Sequence, residues 1–293
     1  MTDWPPPQRA LLPDGRLHLQ DGPIDLVIGI EGLRPAVLEA REAAWRALDG
    51  VLAGLAAELP TLRAPLSGGM PEFNHPVAQR MAEAAWPHRS HFVTPMVAVA
   101  GGVAEHVLGA IAAVPGISVA YVNNGGDIAL HLSADSTLRV GLIEDPAFAE
   151  VSGVAVVRGG DAVRGIATSG WRGRSFSCGI ADAVTVLAER APEADAAASI
   201  IANAVDADHP AIQRRPACDL DPDSDLRDLR VTVAVGPLPQ AIVAKAMNQG
   251  ERCAETLVSR GLILGACLRL QGAVRLVGAA GSLTALDQGA AVE

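Results

Sequence analysis

Ser118-Val119-Ala120-Tyr121-Val122-Asn123-Asn124-Gly125-Gly126-Asp127-Ile128-Ala129-Leu130-His131-Leu132 decides the fold class. An apolar run stops at a polar glycine turn, and alternation resumes beyond it, which is the pattern of two antiparallel strands joined by a tight hairpin. Paired glycines allow positive φ and a close backbone approach, while the flanking Asn and Asp supply short donors and acceptors. A plain hairpin uses the same letters, so a ligand-binding loop and a structural turn both remain open at this point.

On the amino-terminal side, Thr94-Pro95 reads as an N-cap followed by proline in the first helical turn, opening a helix through about Ile111. Ala98, Ala100, Gly101, Gly102 and Ala104 leave one side of that helix nearly bare, suited to tight packing or to a flat ligand. Glu105 and His106 interrupt an otherwise apolar helix and need partners or a function. Further back, Arg16 to Gln20 and Ile24 to Ile30 form a hairpin. Apolar positions from Val37 to Leu59 step by three or four, predicting one amphipathic helix stopped at Pro60. A short helix is expected from His75 to Trp86.

On the carboxyl-terminal side, strands are expected at Leu138 to Ile143, ahead of Glu144-Asp145-Pro146, and at Val154 to Val157. Val163 to Ala167 then leads into Thr168-Ser169-Gly170-Trp171-Arg172-Gly173-Arg174-Ser175. Hydroxyls, glycine N–H groups and two guanidiniums there are the parts of an anion site. Cys178 could act as a nucleophile or be a buried thiol. Gly179 to Ala188 turns into a buried strand, and Pro192 to Val205 is a helix with Asp195 and Ser199 one turn apart on one face. A carboxylate and a hydroxyl at that spacing suit a hard cation such as Mg²⁺; a helix-dipole aspartate beside an unrelated serine would look the same. Strands at Val231 to Val235, Leu262 to Leu270 and Ala273 to Val277, with a helix at Pro239 to Val258, complete an α+β pattern. Asp219, Asp221, Asp223 and Asp225 lack the register of a calcium loop, and the tail after Gly281 is expected to be loose.

Composition sets limits on function. The 293 residues are 49% hydrophobic but only 3% aromatic, and the net charge is -10. Such a chain has core enough for a globular fold, with small side chains filling it and little to stack or attract nucleic acid or anionic lipid. Lys245 is the only lysine, so phosphate contacts would fall to arginine or backbone N–H groups. The four cysteines show no CxxC spacing. The start, Met1 to Pro7, has no basic stretch followed by an apolar one, so a cytoplasmic location is expected, with no membrane partner.

Five segments, Gly102-Val103-Ala104-Glu105, Asn124-Gly125-Gly126-Asp127, Ala167-Thr168-Ser169-Gly170, Val184-Thr185-Val186 and Ala194-Asp195-Ala196-Ala197-Ala198-Ser199, follow one another as in the ApbE flavin-transferase superfamily. The chain resembles that family's short cytosolic branch, with the motif region at residues 90–205 inside a single domain spanning 1–293. The resemblance implies a two-lobed α+β fold with mixed, largely antiparallel sheets flanked by helices. It also implies an FAD or FMN ligand, and Mg²⁺-dependent FMN transfer to an acceptor protein. Asn124, Gly125, Gly126, Asp127, Thr168, Ser169, Gly170 and Arg172 would border the nucleotide, and Asp195, Ser199 and the carbonyl of Gly102 would hold the metal. Two positions depart from the pattern: Glu105 stands in place of a lysine, reversing the charge near the nucleotide, and Ser177-Cys178 in place of a Ser-His pair. Glu105, His106 and Cys178 are the candidate catalytic groups. The alternatives are a non-catalytic flavin- or pterin-binding protein in a cofactor pathway, and a structural homo-oligomer.

Overall fold

The computed structural model describes residues 5–143, 151–278 and 283–285. In chain order its elements begin with β1 (Gln8–Leu11), β2 (Leu17–Asp21), β3 (Ile24–Gly32), α1 (Arg34–Leu48), α2 (Val51–Ala57), the single turn α3 (Leu59–Leu62), α4 (Pro76–Ala85) and α5 (Val99–Ala112). Then come β4 (Ile117–Asn124), β5 (Asp127–Leu132), β6 (Thr137–Ile143), β7 (Val151–Arg158), β8 (Gly165–Ser169), β9 (Ala183–Ala188) and α6 (Ala191–Ala204). The last are β10 (Ile212–Pro216), β11 (Arg230–Val235), α7 (Gln240–Ser259), β12 (Gly265–Leu270), β13 (Ala273–Gly278) and β14 (Leu283–Ala285). The chain divides into two compact units. The first holds residues 1–138, 158–167 and 189–196, and the second residues 139–157, 168–188 and 197–293.

In the first unit, β1, β2, β3, β4, β5 and the start of β8 pair in that order, each antiparallel to the next. Period-2 burial along β2 (Leu17, Leu19 and Asp21 in) and β3 (Ile24, Leu26 and Ile28 in) turns one face toward the helices. Helix α5 lies on β4 and β5 and touches α1 and α4. Alanines do much of the filling: Ala36, Ala40 and Ala44 form the buried stripe of α1, as an aromatic-poor composition requires. Pro95–Ala112 is long and apolar enough to cross a membrane, with mean hydropathy 1.5, but half of it is buried inside this core.

The described residues of the second unit include β9, β12 and β13, antiparallel, with α7 packed on β12 and β13; the hairpin of β10 and β11; and β14, β7 and β6 in that order. Lys245 stands exposed on α7.

The α+β class with largely antiparallel sheets holds, and several details differ from expectation. The helix expected from Val37 to Leu59 breaks at Asp49-Gly50, where Gly50 has φ +76°, and Pro60 lies inside α3 rather than ending a helix. Thr94 makes no side-chain cap, and the chain passes through a short 3-10 turn, Pro95–Ala98, before α5 begins. Thr168 and Ser169 belong to strand β8 rather than to a loop. Glu144-Asp145-Pro146 and most of the tail after Gly281 lie outside the described residues.

Candidate functional site

The hairpin turn is built as the sequence suggests. Asn124 pairs with Asp127 across it, and Gly125 and Gly126 take φ +68° and +116°. Gly126 N–H donates to Asn123 Oδ1 at 2.8 Å. A methyl group at Gly126 would meet nothing within 4 Å, so backbone conformation rather than crowding demands the glycine, and the space beside the turn is open. Asn124 Nδ2 donates to the carbonyl of Ala100 at 3.2 Å, fastening the turn to the first turn of α5.

That first turn is where Asp195 arrives. The opening N–H groups of a helix have no partner within it, and Asp195 Oδ2 accepts from Gly101 N–H at 2.9 Å. The aspartate thus caps α5, 94 residues away in sequence, rather than only the dipole of its own helix. A side chain at Gly101 would collide with the Ala191 carbonyl, so α6 can approach α5 this closely only because position 101 is glycine. Burial raises the Asp195 carboxyl well above the ordinary range and the nearby Asp127 carboxylate raises it further, opposed by the N–H groups of Gly101 and Ala100. Gly102 is buried against α4, where a methyl group would stand 3.1 Å from Met81 Cγ.

The same unit contains Glu105 and His106. Glu105 is ion-paired to Arg80 at 3.1 Å and to Arg190 at 2.8 Å, the latter through both carboxylate oxygens. Glu105 is thus matched by two guanidiniums, and a lysine in its place would gather three cations. His106 is half-buried, and burial with the Arg80 cation lowers its pKa. That shift favours the neutral ring, whose centroid lies 6.3 Å from that of His75.

In the second unit, hydroxyls gather. Thr168 Oγ1 and Thr185 Oγ1 lie 2.9 Å apart, and Ser199 Oγ donates to Ser169 Oγ at 3.3 Å. Of the three residues named for the metal, Asp195 and Gly102 belong to the first unit and Ser199 to the second. Gly170 passes so close to the carbonyls of Ala181 and Asp182 that a side chain would collide with them.

Asp182, which the sequence reading passed over, organises this region. Only 3% exposed, it accepts from Trp171 Nε1 at 3.0 Å, from Arg172 Nε at 2.9 Å and from the N–H of Gln271 at 2.5 Å. Arg172 also lies over the Trp171 ring, 4.6 Å from its centroid, so much of its donor capacity is committed within the protein. The signal that could have found Asp182 was a lone carboxylate inside the apolar run Gly179 to Ala188.

Among the described residues, no basic nitrogen that could take its proton is hydrogen-bonded to Cys178. Burial pushes its thiol pKa up, Asp206 adds to the rise and Arg214 opposes it. Its N–H and Ser177 Oγ both donate to Asn203 Oδ1, at 2.9 and 3.0 Å, an arrangement that pins the turn. A thiol held in its neutral form is a poor nucleophile.

The buried Asp195 carboxylate is under the electrostatic influence of the Asp127 carboxylate and has no cation among the groups that act on it, a donor pair that suits one hard cation. Mg²⁺ is bound through one or two carboxylates, with water and phosphate oxygens completing the octahedron. Among the described residues no group of three or more His, Cys, Asp or Glu converges, which argues against a zinc-type cage.

The chain belongs to the family described as AbpE bacteria, whose model matches residues 9–276. This is the ApbE-like membership that the five motifs imply. It is 40% identical over 149 residues to a UPF0280 protein of Methanopyrus kandleri, covering 50% of this chain and 55% of that protein. A UPF0280 protein of Methanosphaerula palustris is 35% identical over 177 residues, covering 60% and 69% respectively. The chain thus spans between about half and two thirds of the length of these curated relatives. Among solved structures, the apo flavinyl transferase ApbE of Pseudomonas stutzeri aligns over 94% of each chain at 12% identity, with a TM-score of 0.43.

Proposed function

We propose that this chain is a cytoplasmic, ApbE-like flavin-nucleotide-binding protein that takes FAD together with Mg²⁺, the cation lying at Asp195 and Asp127. The observation that carries this reading is the buried Asp195 carboxylate, held by Gly101 N–H and within the electrostatic reach of the Asp127 carboxylate. A buried charge ordinarily has a counter-charge, and a cation bound with a phosphorylated ligand would supply it. Family membership over residues 9–276 supports the choice of a flavin nucleotide, as does the order of the motifs. When bound, the cation would neutralise phosphate oxygens and offer Lewis-acid stabilisation. The chain's own part is to orient Asp195 through the α5 N–H groups, to hold Asp127 on a rigid hairpin and to fix Asn124 on Ala100. Within the same unit, the backbone at Gly125 and Gly126 is a further candidate for nucleotide contact.

A second reading, binding without turnover, is favoured by a specific observation. The three candidate catalytic groups are committed elsewhere: Glu105 to two arginines, Cys178 to a neutral thiol and His106 to a half-buried ring whose neutral form is favoured. General acid–base chemistry needs a reachable group with a matched pKa.

Titration with FAD, followed by quenching of flavin fluorescence with and without Mg²⁺, tests both readings. Saturable binding that tightens with Mg²⁺ is expected, with little covalent FMN appearing on a flavinylation acceptor. Absence of FAD binding under both conditions would reject the flavin reading. Robust in-gel flavin fluorescence of the acceptor would instead establish transfer.

A further inference from the structure

We propose that Glu105 is a positioning residue for the Asp195 carboxylate, acting through Arg190; this rests on the reading that Asp195 holds a cation. Arg190 immediately precedes α6, and Ala191, the first residue of that helix, packs backbone to backbone against Gly101 of α5. Asp195 lies one turn further along and must reach the N–H of that same Gly101. The geometry of the carboxylate is therefore set by where α6 begins. Glu105 sits one turn below Gly101 on α5 and grips Arg190 through two hydrogen bonds, Nε to Oε1 at 3.2 Å and Nη2 to Oε2 at 2.8 Å. A fork-to-fork pair of this kind fixes direction as well as distance.

The ion-pair network is poorly suited to stability for its own sake. Arg80 shares the Glu105 carboxylate, yet its Nη1 is buried with no hydrogen-bond partner among the described residues. An unpaired buried donor costs stability, and the pairs themselves are partly solvent-exposed, where ion pairs contribute little. What the network does supply is a fixed start for α6 relative to α5. Glu105 touches neither proposed cation ligand, so its effect on the site passes through Arg190 and the helix.

The test uses substitutions of opposite charge on the full chain, with Tb³⁺ as a luminescent probe of the cation site. Removing a carboxylate weakens cation binding anywhere in a protein's field, and removing a guanidinium strengthens it. Positioning predicts that Glu105→Ala and Arg190→Ala both weaken Tb³⁺ binding, by about tenfold or more, as loss of an outer-shell partner does. It also predicts that the double variant is no weaker than the worse single one, because the two residues act as a unit, and that Arg190→Lys restores only part of the loss. Tighter binding in Arg190→Ala would overturn the proposal and leave only a charge effect.

A second measurement stands apart from the metal. Hydrogen exchange at the amide of Gly101, read by NMR without added cation, should quicken in both alanine variants, because the amide loses a well-placed acceptor. Unchanged exchange in folded variants overturns the proposal, whatever the Tb³⁺ result. Equal Tb³⁺ binding by the parent and Asp195→Asn would reject the cation reading alone, and the exchange rates would still decide whether Glu105 places Asp195.

Discussion

Asp182 and Asp195 are both buried aspartates, and their surroundings differ in kind. Asp182, in the second unit, receives an indole N–H, a guanidinium and a backbone N–H, so its negative charge is met in full by the protein. Asp195, in the first unit, receives backbone N–H groups and is acted on by the Asp127 carboxylate. Burial alone therefore does not mark a functional carboxylate. What distinguishes Asp195 is that no cation is among the groups that act on it, so its ionised form is disfavoured unless a cation is bound.

The largest effect that would test this contrast is expected at Asp182. Asp182→Ala leaves Trp171 Nε1, the Gln271 N–H and a partly buried guanidinium without their acceptor, and should lower unfolding stability by about 3 kcal/mol. Urea denaturation measures it. A loss below about 1 kcal/mol would mean that the cluster does not anchor the second unit.

A smaller effect is expected at the hairpin that carries Asp127. Gly126→Val forces a β-branched residue to φ +116°, at a cost of roughly 1–2 kcal/mol, and should loosen Asp127 enough to blunt any Mg²⁺ response. Thermal melts of parent and variant, with and without Mg²⁺, would register both changes. A variant with undiminished Mg²⁺ response would remove Asp127 from the site.

The smallest stability change belongs to Asp195 itself. Asp195→Asn keeps an oxygen for Gly101 N–H, so at acid pH, where the parent carboxyl is also neutral, metal-free stability should move by no more than about 1 kcal/mol. The pH dependence should change character instead. The folded-state pKa of Asp195 is raised, so folding favours the protonated form. Its contribution to stability is fully present below the ordinary carboxylate range and is lost as pH rises through the raised folded value. Glu193, Asp206 and Asp21 are also raised, each chiefly by burial, so the measurement is the difference between parent and Asp195→Asn across pH 4 to 8, a window spanning roughly the ordinary carboxylate range and neutrality. The parent should lose more stability than the variant as pH rises, and saturating Mg²⁺ should shrink that loss. Parallel curves would place Asp195 in the same category as Asp182.

Much of this architecture was legible because local pattern and tertiary burial agree. The hairpin of β4 and β5, the strand pair β2 and β3, and helices α4, α6 and α7 follow from alternation or helical spacing to within a residue or two. The failures have physical causes. Strand β1 is exposed at every position and β10 reads Ile-Gln-Arg-Arg-Pro, so neither presents an apolar period. The break at Asp49-Gly50 hides because the three-to-four spacing of apolar residues runs straight across it.

The candidate site was legible only in its parts. Asn124, Asp127 and Asp195 stand out as residue types, but that Asp195 caps a helix 94 residues earlier is a fact of tertiary packing that no local window contains. Glu105 was conspicuous as a charge on an apolar helix, and its meaning rests on Arg80 and Arg190, which lie 25 and 85 positions away in sequence. Asp182 was hidden for the same reason: its partner Gln271 is 89 residues distant.

Gly101 sets a limit on inheritance. Every single-base change that alters a glycine codon's amino acid installs a side chain, and at this position even the smallest collides with the Ala191 carbonyl. The neighbouring alanines of α5 can drift among small residues with some repacking, but position 101 has no intermediate through which to drift. In a lineage that keeps α6 against α5, glycine here should persist long after the surrounding sequence has diverged, and a descendant that has lost it should also have lost the aspartate that its N–H holds.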